Sequence, residues 1–307
     1  MLECLYRGVT PWAKANKYQI MLNRILGRIA NYLYPLYCKH RHISHNRPLA
    51  KDLCNKAVVI SLTSFPARIE KVHLCINSLL RQTVSADRII LWLAESQFPQ
   101  GKGVPQKLLE LVKEGLEIRY CDDLRSYKKV FYTAQEHQDD IVVTVDDDTL
   151  YPEYWLSELI RTYQRYPNCV CCFRAHKMVL KNGKVAPYSE WIGLSPDEKG
   201  PDSLLVPIGV GGVLYPPGYF SNVEFDYAII SKLCPTADDL WLKTIGLHNQ
   251  YTAVKVLPNS KEWFTILSTQ RNSLMSTNVG ENVNDTSMEN LVNYYQIRFG
   301  EYGENMN

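Results

Sequence analysis

Three consecutive aspartates follow directly on a short apolar segment in the middle of the chain. Residues 141–145 (IVVTV) are all apolar or β-branched, and Asp146, Asp147 and Asp148 come next. A segment that is apolar at nearly every position is typical of a strand buried on both faces of a parallel sheet. Neighbouring carboxylates raise one another's pKa unless a positive group lies among them. This feature predicts an α/β fold, with either a divalent metal site or a solvated acidic turn at the end of the strand.

The position of these carboxylates favours the metal site over the acidic turn. Open α/β sheets bind their ligands at the carboxyl ends of the strands. Carboxylate oxygens are suited to Mn²⁺ or Mg²⁺, and Mg²⁺ is usually held by one or two carboxylates together with substrate phosphates. We therefore expect Mn²⁺ or Mg²⁺ as a cofactor.

Strand and helix patterns alternate in the segment that leads to the aspartates. The strand patterns cover residues 56–62, 88–94, 117–121 and 141–145, and the helical patterns cover 69–82, 106–113 and 127–137. This alternation with mostly short connections is typical of a doubly wound, Rossmann-like sheet flanked by helices.

Two segments on this side of the chain offer groups that bind nucleotides. The loop after the first strand, TSFPARI, contains Thr63, Ser64 and Arg68. Hydroxyls, backbone N–H groups and an arginine can hold a base, a ribose or a phosphate, although an ordinary β–α loop also uses Ser and Pro. Lys128 and Lys129 lie near a predicted helix start, where they oppose the helix dipole. They are expected either to meet phosphates or to lie on a solvated face.

The second half of the chain contains another acidic pair. Asp238 and Asp239 follow Pro235 and Thr236, which are suited to begin a helix, so the two acids fall in its first turn. In that position they either stabilise the helix terminus or act chemically. The stretch IGVGGVLYPPG combines a small-residue loop with an apolar strand, which fits either close approach to a ligand or a plain bulge.

The first fifty residues form a basic segment with a different character. Of the 34 basic and 32 acidic side chains, this segment contains eight basic and one acidic, so the rest of the chain is net acidic. Residues 18–36 predict an amphipathic helix that ends near Pro35, with an apolar stripe at Leu22, Ile25, Leu26, Ile29, Leu33 and Leu36. Such a basic helical arm suits an anionic membrane surface, the protein's own body or a dimer contact.

Four segments, taken in order, resemble GT-A glycosyltransferases of the inverting family-2 type. They are VVISLTSFPARI, VTVDDDTLYP, VGGVLYPPG and TADDLWL. The resemblance covers roughly residues 57–257. It implies a GT-A domain (51–267), while the basic arm (1–50) and the polar tail (268–307) fall outside it. The domain would have a nucleotide-binding half at about 56–150 and an acceptor half at about 151–267.

The resemblance also implies roles for individual residues. In such enzymes the D-x-D acids hold Mn²⁺ or Mg²⁺ on a nucleotide diphosphate, so Asp146 would contact the ribose or metal-bound groups and Asp148 would ligate the metal. Asp147 would lie beside them in the nucleotide site. An acid pair at a helix start contains the general base of the family, which corresponds to Asp239, with Asp238 beside it.

Further residues complete the expected site. His248 would be an additional metal or phosphate contact, or a structural histidine. Gly211, Gly212 and Trp191 are expected on the side of the acceptor.

The expected function is metal-dependent, inverting transfer of one sugar from a nucleotide-diphosphate sugar to a glycan or lipid-linked acceptor. Bacterial capsule or O-antigen synthesis is the expected setting, and the missing Q-x-x-R-W-like segment disfavours a polysaccharide synthase. The alternatives are a nucleotidyltransferase and a non-catalytic glycan-binding or scaffold protein of the same fold. A nucleotidyltransferase would need a glycine-rich phosphate loop, and TSFPARI has no glycine. Nucleic acid is not an expected partner, because the body is net acidic.

The expected location is the cytoplasm, with possible peripheral attachment to the inner face of the plasma membrane. The nine cysteines are odd in number and mostly scattered singly, which favours free thiols in a reducing compartment. No signal-peptide pattern and no apolar run of membrane-spanning length is present in the sequence.

Overall fold

A seven-stranded, mostly parallel sheet lies at the centre of the protein, with helices on both of its faces. The computed structural model describes residues 1–11, 14–40, 42–259, 262–267 and 283–299. The strands in this part of the chain are β1 (Val58–Thr63), β2 (Arg88–Ala94), β3 (Leu116–Cys121), β4 (Ile141–Thr144), β5 (Thr149–Leu150), β6 (Cys169–Cys172), β7 (Ala175–Lys177), β8 (Leu180–Lys181), β9 (Lys184–Val185), β10 (Leu205–Pro207), β11 (Val213–Tyr215), β12 (Thr252–Lys255) and β13 (Phe264–Thr265). The helices are α1 (Leu2–Arg7), α2 (Lys17–His40), α3 (Ala50–Cys54), α4 (Ile69–Leu79), α5 (Gln106–Glu110), α6 (Lys128–Glu136), α7 (Trp155–Arg165), α8 (Tyr227–Leu233), α9 (Asp238–His248) and α10 (Val283–Tyr294).

The order of strands across the sheet places a topological switch point between β1 and β4. The order is β12-β6-β11-β4-β1-β2-β3, and only β11 runs antiparallel to its neighbours. Strand β1 pairs with β2 on one side and with β4 on the other, both in parallel. The chain segments that follow β1 and β4 therefore start at the same edge of the sheet and run towards opposite sides of it. Ligands of open α/β sheets bind at such a switch point.

Two hydrophobic clusters cover the two faces of the sheet. Alternate residues of β1 point to opposite faces, so Val58 and Ile60 join one cluster while Val59 points away from it. The first cluster includes residues of α1, α2, α4 and α7, and the second includes residues of α6, α8, α9 and α10. Each fully buried aliphatic side chain contributes roughly 1.5–3 kcal/mol through removal from water. The predicted α/β layering is thus confirmed.

A helix in the predicted polar tail packs on the second face. Residues 268–282 and 300–307 of that tail lie outside the described residues. Met288 and Leu291 of α10 are buried in the second cluster, and Phe299 is buried with them. The indole N–H of Trp241 in α9 donates to the Tyr295 hydroxyl at 3.2 Å. This part of the tail therefore belongs to the core, although its sequence contains few of the apolar residues that would predict this.

The long helix α2 continues past the proline that was expected to end it. Pro35 lies inside the helix, which runs on to His40. Arg81 holds the last turn, because its guanidinium stacks over the ring of Tyr37 and donates to the Cys38 carbonyl at 3.4 Å. These contacts compensate for the backbone hydrogen bond that proline cannot make. None of the described helices combines the length and the apolar character needed to cross a bilayer.

Candidate active site at the carboxyl edge of the sheet

The aspartate triad lies at the switch point, in contact with the loop that follows β1. The Ser64 hydroxyl donates to Asp147 Oδ2 at 2.6 Å. One guanidinium nitrogen of Arg68 lies 2.7 Å from Asp147 Oδ1 and 3.1 Å from Asp148 Oδ2. Two of the three residues predicted to bind nucleotide in this loop are therefore held directly against the triad.

Lys129 joins the triad to the second acidic pair. Its ammonium lies 3.1 Å from Asp146 Oδ1 and 3.2 Å from Asp238 Oδ2, and the side chain is buried. Burial opposes the charge, but Asp146, Asp238 and Asp239 together raise the pKa of Lys129 well above the ordinary lysine value. This ammonium is thus charged at neutral pH, and it connects β4 with the first turn of α9.

Asp239 lies at the same end of α9 with an environment that disfavours ionisation. The backbone N–H of Gly209 donates to Asp239 Oδ2 at 3.3 Å. Burial, and next the charge of Asp238, raise the pKa of Asp239 to about 7, although Lys129 acts in the opposite direction. A carboxyl group with a pKa near the ambient pH can both take up and release a proton.

Asp146 and Asp148 supply the donor set that a divalent cation would use. Burial and the charge of Asp146 raise the pKa of Asp148 to about 6. A cation placed between the two would relieve this repulsion. Among the described residues, no three His, Cys, Asp or Glu side chains converge as a metal cage. Two carboxylate ligands fit Mg²⁺ or Mn²⁺ when phosphate oxygens and water complete the coordination.

Two residues predicted to bind nucleotide have other partners. The Thr63 hydroxyl donates to the Trp92 carbonyl at 2.9 Å, so it ties β1 to β2. Lys128 is buried and pairs with Asp123 at 2.6 Å, on the side of β3. Adjacent residues of a helix point about 100° apart, so Lys128 and Lys129 cannot share the acidic cluster. Of the two lysines, Lys129 contacts the acidic cluster and Lys128 does not.

The glycines predicted to bind the acceptor are instead packed against tryptophans. Gly211 and Gly212 are buried and have φ angles of 98° and 83°. A Cβ atom on Gly211 would lie 2.6 Å from Trp263 Nε1, and one on Gly212 would lie 2.5 Å from Trp155 Cζ2. Only glycine fits this backbone conformation and spacing, so the structure gives both residues a packing role, and acceptor binding by them stays a prediction.

The other two predicted site residues each pack against a tyrosine. Trp191 is buried, donates to the Ala186 carbonyl at 2.9 Å and packs on Tyr188. His248 is exposed in the last turn of α9, against the ring of Tyr295. Nine helical residues separate it from Asp239, which corresponds to about 13 Å along the axis. This position does not favour His248 as a ligand of the same metal, and that role stays a prediction.

Three residues near the acids were not singled out as site residues from the sequence. Besides Lys129, they are Gly209, whose hypothetical Cβ would lie 3.3 Å from Asp146 Oδ1, and Tyr188, whose pKa is raised by burial and then by the charge of Asp239. Val130 and Ala134 are buried one helical turn apart, and this spacing places residue 129 at the edge of the buried face of α6. Gly209 belongs to the small-residue loop of IGVGGVLYPPG, whose sequence fits close approach to a ligand, whereas nothing in the sequence points to Tyr188.

Neither the known protein-family models nor the curated protein sequences give a match to this chain. The assignment of a function therefore depends on the chemistry of the site.

Proposed function

We propose that the chain is a metal-dependent, inverting glycosyltransferase of the GT-A type. It would transfer one sugar from a nucleotide-diphosphate sugar to a hydroxyl group of a glycan or lipid-linked acceptor. The observation that carries this proposal is the convergence of two carboxylate sets at one switch point. The triad after β4 and the acid pair at the start of α9 share the ammonium of Lys129.

The two carboxylate sets suit the two halves of such a reaction. Asp146 and Asp148 would hold Mn²⁺ or Mg²⁺, which when bound offsets the negative charge of the departing diphosphate. Ser64 and Arg68 fix the orientation of Asp147 from the β1 loop. A nucleotide diphosphate would bind beside the triad, in keeping with the ligand position of open α/β sheets.

Asp239 is suited to act as the general base towards the acceptor. The bond between the anomeric carbon and the phosphate oxygen breaks, and its electron pair leaves with the nucleoside diphosphate. A new bond forms from the acceptor oxygen to the opposite face of the anomeric carbon, and the acceptor proton passes to the Asp239 carboxylate. A base with a pKa of about 7 is well matched to this transfer at neutral pH. The Gly209 N–H and Lys129 hold the acidic cluster in place.

A donor panel tests this proposal. The protein would be incubated with uridine, guanosine, cytidine and thymidine diphosphate sugars, with a bacterial lipid extract as acceptor, in Mn²⁺, Mg²⁺ or EDTA. We expect release of nucleoside diphosphate from one nucleotide class, in the presence of metal only. Release of pyrophosphate instead, from a nucleoside triphosphate and a sugar phosphate, would show a nucleotidyltransferase. Absence of turnover with every donor would contradict the proposal.

A further inference from the structure

Helix α2 contacts the rest of the protein through a narrow side that contains small and polar residues. Asn23, Ala30 and Tyr34 are buried on this side. The side-chain amide of Asn31 donates to the Thr265 carbonyl at 2.9 Å and accepts from the Leu267 N–H at 2.8 Å. These contacts attach the helix firmly to β13, so its orientation on the body is defined.

The opposite side of α2 exposes a continuous apolar surface. Nearly half of the exposed large apolar side chains in the described chain lie on this one helix. They are Tyr18 (78% exposed), Met21 (57%), Leu22 (45%), Ile25 (41%), Ile29 (37%), Tyr32 (75%), Leu33 (39%) and Leu36 (47%). Their spacing of three and four residues places them on one face. An amphipathic helix that turns its apolar face away from the core requires a partner for that face.

The charges on α2 indicate what this partner is. The helix contains no Asp or Glu, and Lys17, Arg24, Arg28 and Lys39 are exposed beside the apolar face. No acidic side chain of the described residues forms an ion pair with any of these four. A second copy docked through this face would bring four more cations into the same interface. An anionic lipid surface instead supplies both the apolar phase and the negative charge that the face lacks.

We infer that α2 docks the protein onto an anionic lipid bilayer, with the helix lying in the plane of the membrane interface. Ile25, Ile29 and Leu36 would enter the boundary between headgroups and acyl chains, and Arg24 and Arg28 would contact lipid phosphates. This docking does not depend on the proposed function.

The connection between α2 and the acidic site is short. Strand β13, which α2 holds through Asn31, pairs with β5 directly after the triad. The backbone N–H of Ile266 donates to the Asp148 carbonyl at 2.7 Å. Docking through α2 therefore holds the candidate site at a fixed height above the membrane. If the proposed function holds, that geometry favours a lipid-linked acceptor.

Vesicle flotation tests the docking. Full-length protein would be mixed with vesicles of phosphatidylcholine alone or with an equal part of phosphatidylglycerol, at low and high salt. We expect flotation with the anionic vesicles, weakened by salt. The triple variant Ile25→Gln, Ile29→Gln, Leu36→Gln should reduce the bound fraction at least tenfold. The single substitutions Arg24→Gln and Arg28→Gln should each weaken partitioning to anionic vesicles about fivefold.

A matched control comes from another exposed apolar pair. Leu109 and Val112 are 42% and 46% exposed, and their replacement by Gln should leave flotation unchanged. All substituted side chains are exposed, so melting temperatures should not change, and the two arginine variants test the inference even if the triple variant is unstable. Two results would overturn it: equal flotation of wild type and the α2 variants, or no flotation with anionic vesicles. A dimer in analytical ultracentrifugation that the triple variant loses would assign the face to a second copy.

Discussion

Replacement of Asp239 by asparagine is expected to lower the turnover number by about 10²- to 10⁴-fold, the usual contribution of a general base. The amide has nearly the same shape as the carboxyl group but cannot accept the acceptor proton. Folding should be preserved, because the substitution removes the repulsion between Asp239 and Asp238, which is one of the causes that raise the Asp239 pKa. The measurement is the rate of nucleoside diphosphate release from the donor that the panel identifies, with the melting temperature as a check on folding.

The pH dependence separates a base from a merely structural acid. The base must be ionised, so kcat/KM of the wild type should rise with pH up to about 7, the pKa of Asp239, and be constant above it. The residual activity of Asp239→Asn should lack this rise. Asp139→Asn, a change at an exposed aspartate, is the control and should keep the wild-type rate and profile. Wild-type activity in Asp239→Asn would exclude this residue as the base.

Replacement of Lys129 by methionine is expected to destabilise the fold by about 3 kcal/mol, the lower end of the range for breaking a buried ion pair. Methionine keeps most of the volume but leaves Asp146 and Asp238 without their shared cation. The low value of the range applies because Asp146 is a quarter exposed. Urea unfolding at pH 7 measures the loss.

Two further measurements distinguish lost charge pairing from lost packing. Lys129 lowers the pKa of Asp239, so in the variant this pKa lies further above that of the unfolded chain, and the Asp239 carboxyl of the folded variant takes up its proton first as the pH falls. The deficit in the free energy of unfolding should therefore shrink. Adding Asp146→Asn and Asp238→Asn to the variant should restore most of the stability at pH 7, since the two carboxylates that contact the Lys129 ammonium are then replaced by neutral amides. Lys102→Met, at an exposed lysine, should change stability little. A deficit that persists in the triple variant would contradict the electrostatic explanation.

The sequence predicts the central strands well because their signal is local. The apolar runs of β1, β2 and β4 are uninterrupted, and the predicted range 88–94 coincides with β2. The contact between the triad and the β1 loop also has a local basis, since both follow parallel strands whose carboxyl ends lie at the same edge of the sheet. Pairings between distant segments, such as β5 with β13, have no such signal.

The features that the sequence pattern does not show are the direction of side chains and the effect of tertiary contacts. Lys128 and Lys129 cannot be told apart without the rotation of α6 on the sheet. In the sequence, Gly211 and Gly212 are typical of a ligand-binding loop. The structure shows that the indoles of Trp155 and Trp263 pack against them. Pro35 predicts the end of a helix in the sequence. The contacts of Arg81 that hold the last turn of α2 come from the end of another helix, and the sequence does not show them.

The apolar stripe of α2 shows a further limit of sequence patterns. The period of the stripe predicts an amphipathic helix correctly, but not whether the stripe faces the core. In the structure the apolar residues Ile25 and Ile29 are exposed, while the polar Asn23 is buried. An amphipathic pattern gives the same signal for a core and for an external partner.

The most direct test of the central claim is thermal stabilisation of the wild type and of Asp148→Ala by nucleoside diphosphates, with Mn²⁺ or with EDTA. The account predicts a shift with one nucleotide, in Mn²⁺ only and in the wild type only. Ligand at about 100 times its Kd adds roughly 2.7 kcal/mol of stability, which is easily measured. Absence of a shift with every nucleotide, or an equal shift in Asp148→Ala, would contradict the assignment of the triad as a metal–diphosphate site.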